Sequence, residues 1–242
     1  MSDRSADVSF AFPRDVLVIG GSAEAVPALT RLVAALDPQL PAAVFVVVHF
    51  PPREESVLPA ILNRAGALPA AHAVDREPIR HGRIYVAPPD SHLHFSAGRI
   101  ELRRTARENG FRPAIDPLFK SAARNFGPRV IAVVLSGALS DGAAGLRDVK
   151  ESGGIAVVQD PTDAENGGMP TAALERVPVD HVVPLATMGS LLSGLVRPLA
   201  DHSERDMLHA GKRRGCSAAE HRGGFARGVE TPAQRSERIE AQ

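Results

Sequence analysis

Three residues of this chain carry side chains suited to acyl transfer, and each follows an apolar run. Ser22 comes after Val16-Leu17-Val18-Ile19-Gly20-Gly21, and His49 after Ala42-Ala43-Val44-Phe45-Val46-Val47-Val48. Asp141 lies one short Gly-containing loop beyond Val130-Ile131-Ala132-Val133-Val134-Leu135. A hydroxyl that attacks, an imidazole that takes its proton and a carboxylate that orients the imidazole are the groups nucleophilic acyl transfer needs. Each residue also has an ordinary reading. Small Gly-Ser loops follow the first strand of many α/β proteins. A histidine at the end of a valine-rich run can be a core residue with locally satisfied nitrogens. An aspartate ahead of a helix is a common N-cap. The residue types alone leave these alternatives open.

The elements that must position these groups read as an α/β fold. Continuous valine-rich runs at 16–19 and 42–48 suit strands buried on both faces of a parallel sheet. Between them Val26, Leu29, Leu32, Val33 and Leu36 recur at helical spacing, with Pro27 in the first turn, where its missing N–H costs nothing. Further strands are predicted at 84–87, 130–135, 155–159 and 181–184. A hairpin is expected over 92–96 and 99–103, around Ala97-Gly98. Helices are predicted from Asp116-Pro117 through Phe126, with Asp116 as N-cap, over 143–149 before Gly153-Gly154, and over 188–199. The expected fold is α/β: a doubly wound, mostly parallel sheet flanked by helices, with a small antiparallel hairpin. In such a sheet the strand carboxyl ends share one edge, where ligands bind.

At that edge, Gly20 and Gly21 let the backbone turn sharply beside the Ser22 hydroxyl. The N–H groups from Ala23 to Val26 then lead into a helix, a place for a developing oxyanion. The dinucleotide fingerprint fails because its third glycine is absent. The G-x-S-x-G elbow fails because Glu24 stands where its second glycine belongs. Asp90, His92 and His94 alternate and could share one strand face as zinc ligands. No second ligand cluster appears in the sequence, so no metal and no cofactor is expected.

The bulk properties set limits. With 242 residues the chain can bury one large core, and its 28 basic and 28 acidic residues give no net charge for capturing nucleic acid or an anionic membrane. The single cysteine, Cys216, rules out an internal disulfide and fits a reducing compartment. Neither a signal peptide nor an apolar run long enough to span a membrane is read from the sequence. The expectation is a cytoplasmic protein. Residues 1–13 are expected to be a flexible N-terminus and 14–200 the folded domain. Residues 201–242, rich in Arg, Glu, Ala, Gly and Ser, are expected to be a disordered charged tail.

Taken in order, the segments from 14 to 200 resemble the catalytic domain of the CheB-type protein-glutamate methylesterases, which act on chemotaxis receptors. Val18-Ile19-Gly20-Gly21-Ser22 resembles the family's nucleophile loop, and Val48-His49-Phe50-Pro51 its His-x-Pro segment. Gly82 to Pro88 with Asp90 and His92-Leu93 looks like its central strand. Arg112-Pro113 with Asp116 and Leu118-Phe119 looks like its Arg-Pro-Ser-Val-Asp-x-Leu-Phe segment. Leu135-Ser136-Gly137, Asp141 to Gly145, Gln159-Asp160 and Gly168-Met169-Pro170 match the remaining motifs. The resemblance implies a Ser22-His49-Asp141 triad, with Gly21, Ala23 and Glu24 in the oxyanion and substrate loop and Gly137, Ala138 and Met169 at the substrate pocket. It implies hydrolysis of glutamate γ-methyl esters on a methylated chemoreceptor or related signalling protein, releasing methanol, and in some members glutamine deamidation.

Two departures from the family pattern stand out. Ser22 is followed by Ala23-Glu24-Ala25 rather than Thr-Gly-Gly, which adds side chains and a negative charge near the oxyanion. Ala138 replaces a methionine, which makes a pocket wall smaller. A weakly active or non-catalytic binding module is therefore the alternative, with Glu24-Ala25 the feature favouring it, and hydrolysis of another small ester or amide is a third reading. The family's usual receiver domain is not found ahead of the first strand, so a separate regulatory partner is expected if the activity is controlled.

Overall fold

The structure is a computed structural model that describes residues 13–50 and 56–196. The expectations for residues 1–12, the 201–242 tail and Cys216 lie outside the described residues. Nine strands and six α-helices are described: β1 (Val16–Gly21), α1 (Val26–Ala34), β2 (Ala43–Val48), α2 (Leu58–Ala65), β3 (Ala70–His72), β4 (Arg83–Val86), β5 (His92–Ser96), β6 (Arg99–Arg103), α3 (Ile115–Phe126), β7 (Val130–Val134), α4 (Ala143–Glu151), β8 (Ile155–Gln159), α5 (Gly168–Arg176), β9 (His181–Val183) and α6 (Leu185–Leu195).

Seven strands form one sheet in the order β3-β4-β2-β1-β7-β8-β9, and every pairing in it is parallel. From β1 the chain lays β2 beside it and β3 at the edge, fills the position between them with β4, then crosses back to β7 and builds outward on the other side. The order therefore reverses beside β1, and the Ser22 loop leaves the sheet at that point. All six residues of β1 and of β2 are buried, as their unbroken apolar runs require. Alternate side chains feed two cores. Val16 and Val18 of β1 pack on the face covered by α3, α4 and α5, while Leu17 and Ile19 pack on the face covered by α1, α2 and α6.

α3 and α4 carry the geometry that the site needs. Gly20 lets α3 close on β1, since a Cβ there would lie 2.3 Å from Ile115 Cγ2. Gly145 does the same between α4 and α3, where a Cβ would meet the Phe119 Cβ at 2.5 Å and the Asp116 carbonyl at 3.0 Å. Asp116 is not the N-cap of α3. The helix begins two residues earlier than predicted, at Ile115 with Ala114 as N-cap, and the Asp116 carboxylate points across to α4 instead. α6 likewise begins at Leu185, directly after Pro184, ahead of the predicted start at Met188.

β5 and β6 pair antiparallel as a separate two-stranded hairpin against α3. His92 is fully buried there, with Nε2 3.0 Å from the Ala106 carbonyl and Nδ1 accepting the Ala114 N–H at 3.2 Å. Asp90 precedes β5 with a left-handed backbone (φ 57°), and its carboxylate is bound by Arg112. His92 and His94 share a face of β5, with ring centroids 6.3 Å apart. Asp90, however, lies before the strand on Arg112, and both His92 nitrogens are engaged, so the three do not come together as one ligand set.

His94 faces Arg103, His92, Glu101 and Glu108. Burial, then Arg103 and His92, push its pKa down to about 4. A histidine held neutral in the fold but free to protonate when unfolded makes stability fall with acidification. The loss runs from the unfolded value near 6.5 down to about 4. The urea midpoint of the wild type is expected to drop across that interval more steeply than that of His94→Gln. Equal slopes would contradict the assignment.

Candidate active site

Ser22 and His49 leave adjacent parallel strands. Gly21 of β1 is in register with Val48 of β2, so the next residue of each strand emerges at the same sheet edge. The ladder continues past the strand ends and fixes both backbones: the Ser22 N–H donates to the Ser136 carbonyl at 3.0 Å, and the His49 N–H to the Gly21 carbonyl at 3.2 Å. Gly137, next to Ser136, has no room for a side chain. A Cβ there would lie 2.2 Å from Met169 Sδ and 3.0 Å from the Ser22 Cβ.

Ser22 is extended (φ −82°, ψ 175°) and heads a short 3-10 turn over Ala23–Ala25. Its hydroxyl makes no hydrogen bond among the described residues, and the Ala23 and Glu24 N–H groups have no acceptor there. A hydroxyl and two N–H donors without partners among the described residues are groups that a polar ligand entering here could engage.

Asp141 is almost wholly buried, and five donors converge on it. Oδ2 lies 2.7 Å from His49 Nε2 and accepts the Ile115 N–H at 2.7 Å. Oδ1 accepts from Asn109 Nδ2 at 2.7 Å, the Gly142 N–H at 3.0 Å and the Asp116 N–H at 3.1 Å. Burial alone would raise its pKa. The bonds from His49, Ile115 and Asn109 outweigh burial and hold the carboxyl below the usual range. An ionised carboxylate can only accept, so Nε2 of His49 is the donor in this contact, and in the neutral ring Nδ1 is the lone-pair nitrogen.

The two aspartates cap each other's helices. Asp141, on the loop before α4, accepts the first N–H groups of α3, while Asp116, inside α3, accepts the Gly145 N–H of α4 at 2.7 Å. Asp141 therefore does not cap the helix it precedes, whose N-cap is Gly142; it accepts the first N–H groups of α3 instead, and its Oδ2 is shared between the Ile115 N–H and His49. Burial, then the neighbouring Asp141 charge, raises the Asp116 pKa.

A cleft of about 340 Å³ opens over these groups, lined by Ser22, Ala23, His49 and Phe50 on one side and Arg107, Gly110, Phe111 and Arg112 on the other. Phe111 stacks on the His49 ring with centroids 3.7 Å apart and planes 2° from parallel. Arg112 is held by Asp90 (Nε–Oδ1 2.8 Å) and by the Thr105 carbonyl, and the ion pair lowers the Asp90 pKa. Of the other residues named from the sequence, Gly21 is buried against Ala25, and Met169 is buried over Gly137. Glu24 and Ala138 are exposed and lie outside the cleft lining, so the Glu24 charge is not part of the cleft wall. Asn109 and Phe111 were not singled out from the sequence. Asn109-Gly110 is a legible turn signal, but its contacts with Asp141 and His49 depend on the fold.

The sequence model of the family described as CheB methylesterase matches residues 17–192. The chain belongs to the CheB methylesterase family. A Leptospira interrogans protein with the provisional name protein-glutamate methylesterase/protein-glutamine glutaminase is 36% identical over 73% of this chain and 92% of its own length. A Methanosarcina mazei protein-glutamate methylesterase/protein-glutamine glutaminase 2 is 34% identical over 76% of this chain and 52% of its own. The crystal structure of the Thermotoga maritima CheB methylesterase catalytic domain superposes with a TM-score of 0.72 at 31% identity, covering 76% of this chain and all of that one. The parallel sheet with its separate hairpin is thus the fold of the CheB catalytic domain.

Proposed function

We propose that this chain hydrolyses glutamate γ-methyl esters of chemoreceptors in the cytoplasm, with Ser22 as nucleophile, His49 as base and Asp141 as the group that orients His49. The observation that carries this reading is the 2.7 Å contact between His49 Nε2 and Asp141 Oδ2, at the rim of a cleft that Ser22 also lines. With Nε2–H committed to Asp141, Nδ1 is the nitrogen that takes the Ser22 proton as Oγ attacks the ester carbonyl. The negative charge on the carbonyl oxygen falls to the free N–H of Ala23 at the cleft wall. The protonated imidazole, stabilised by Asp141, returns its proton to the departing methoxide, so methanol leaves. Water then enters and gives a proton to His49 as its oxygen attacks the acyl carbonyl. The bond to Ser22 Oγ breaks, His49 returns the proton to Oγ, and the glutamate side chain leaves as its carboxylate with the second proton passing to solvent. The same acyl-enzyme is reached from glutamine with ammonia as the leaving group, which accommodates deamidation without a new residue.

No described helix is long and apolar enough to cross a membrane. Glu24, the feature favouring a binding module, lies off the cleft. The test is release of labelled methanol when the protein is incubated with receptor carrying radiolabelled methyl esters. Release above a buffer control is expected; none, with the receptor still methylated, would remove the esterase reading.

A further inference from the structure

We propose that the turn Glu108–Phe111 is the positioning element of the His49–Asp141 pair, with Asn109 as its working residue; this rests on the esterase reading above. The turn is closed by reciprocal backbone bonds, Phe111 N–H to the Glu108 carbonyl at 2.9 Å and Glu108 N–H to the Phe111 carbonyl at 3.1 Å. Its two central residues, Asn109 (φ 52°) and Gly110 (φ 85°), both lie in the left-handed region, the pattern of two-residue hairpin turns. Asparagine is among the few side-chain-bearing residues that accept that backbone readily. Its amide is then delivered to two buried carboxylates.

Asn109 Nδ2 donates one hydrogen to Asp141 Oδ1 (2.7 Å) and the other to Asp116 Oδ2 (3.0 Å). Both partners are carboxylates, so only the nitrogen side of the amide fits there and its orientation is fixed by chemistry. One neutral group thereby bridges two like charges that α3 and α4 bring together. It also pins Asp141 by Oδ1, which leaves Oδ2 directed at His49 and Ile115.

The far end of the same turn holds the other partner. Phe111 lies flat on the imidazole at 3.7 Å, which sets the plane in which Nδ1 points. Gly110 and Phe111 are also cleft wall. One short turn therefore fixes the acceptor, fixes the ring plane and meets whatever enters the cleft. Asn109 touches none of the reacting atoms; it acts through Asp141.

Asn109→Gly is the decisive variant, because glycine keeps the left-handed backbone and deletes only the amide. Its kcat for methyl-ester hydrolysis is expected to fall about 10- to 100-fold with KM unchanged. The far-downfield proton signal of His49 Nε2–H, identified by its absence in His49→Gln, is expected to move. Asn109→Asp, which keeps the turn but exchanges two donors for a third carboxylate, is expected to fall further. Wild-type kcat and an unmoved signal in Asn109→Gly would overturn the proposal. If that variant does not fold, Phe111→Leu leaves every hydrogen bond of the turn in place. It is expected to lower kcat and shift the same signal, and wild-type values in both would overturn the proposal. The proton signal is read without substrate, so it tests the turn even if the wild type releases no methanol, a result that would strike the esterase reading alone.

Discussion

Ser22→Ala is expected to lower kcat for methyl-ester hydrolysis by roughly 10⁶-fold, the scale seen when a serine hydrolase loses its nucleophile. The effect should fall on chemistry alone. The Ser22 hydroxyl makes no hydrogen bond among the described residues, so its removal strands no partner. What fixes the loop is the backbone: Ser22 N–H on the Ser136 carbonyl, the 3-10 turn behind it and the side-chain-free Gly137 beside it. Alanine satisfies all three. Unfolding free energy should therefore change by less than about 0.5 kcal/mol, and substrate should still bind. Parallel denaturation and single-turnover assays check this; a variant that keeps more than a trace of turnover would move the nucleophile elsewhere.

Asp141→Asn should be damaging in two ways at once. An amide offers one acceptor oxygen where the carboxylate offers two. If that oxygen stays on the Asn109, Asp116 and Gly142 side, the NH₂ faces His49 Nε2 and the Ile115 N–H. The imidazole must then switch tautomer, placing its proton on Nδ1 and leaving Ser22 without a base. An analogous change costs about 10⁴-fold in kcat. The Ile115 N–H meanwhile loses its acceptor inside the core, which costs about 1–3 kcal/mol of stability.

The stability gap between wild type and Asp141→Asn also has a defined pH dependence. The Asp141 pKa is depressed in the fold, so its contribution is present above the unfolded value near 3.9 and is lost as pH falls through the folded one. Asp116, with a raised pKa, acts in the opposite sense, contributing least once it ionises; relief of its repulsion by Asp141 offsets part of the loss. The gap should be widest near neutral pH and close below about pH 4. Urea titrations of both proteins across that range measure it, and a gap that widens towards acid would contradict the buried-carboxylate account.

The parts of this fold legible in the sequence are those where a local pattern has one physical solution. Valine-rich runs at 16–19 and 42–48 fit little but a strand covered on both faces, and both are central strands. The hairpin around Ala97-Gly98 was readable because both residues take positive φ, which glycine tolerates best. β3 was not readable: Ala70-Ala71-His72 is three residues long, weak in strand preference, and held at the sheet edge by its neighbours. α2 and α5 begin Leu58-Pro59 and Gly168-Met169-Pro170, where proline and glycine look like breakers but fit a first helical turn.

At the site, Ser22, His49 and Asp141 stood out because reactive groups followed apolar runs. What those groups rest on did not. Asn109 reaches Asp141 across 32 residues, and Ile115 reaches it across 26, by contacts that no local pattern encodes. Asp116 looked like an N-cap because that is the commonest use of aspartate before Pro-Leu-Phe; the helix pairing of α3 with α4 took it across to Gly145.

The central claim is that the Ser22 hydroxyl is made nucleophilic by His49 and Asp141. The most direct test is the mass of the covalent adduct left by a fluorophosphonate, read peptide by peptide in wild type and in His49→Ala. A single adduct on Ser22 is expected in the wild type, and almost none in His49→Ala over the same time. Labelling of another residue, or equal labelling of Ser22 in both proteins, would contradict it.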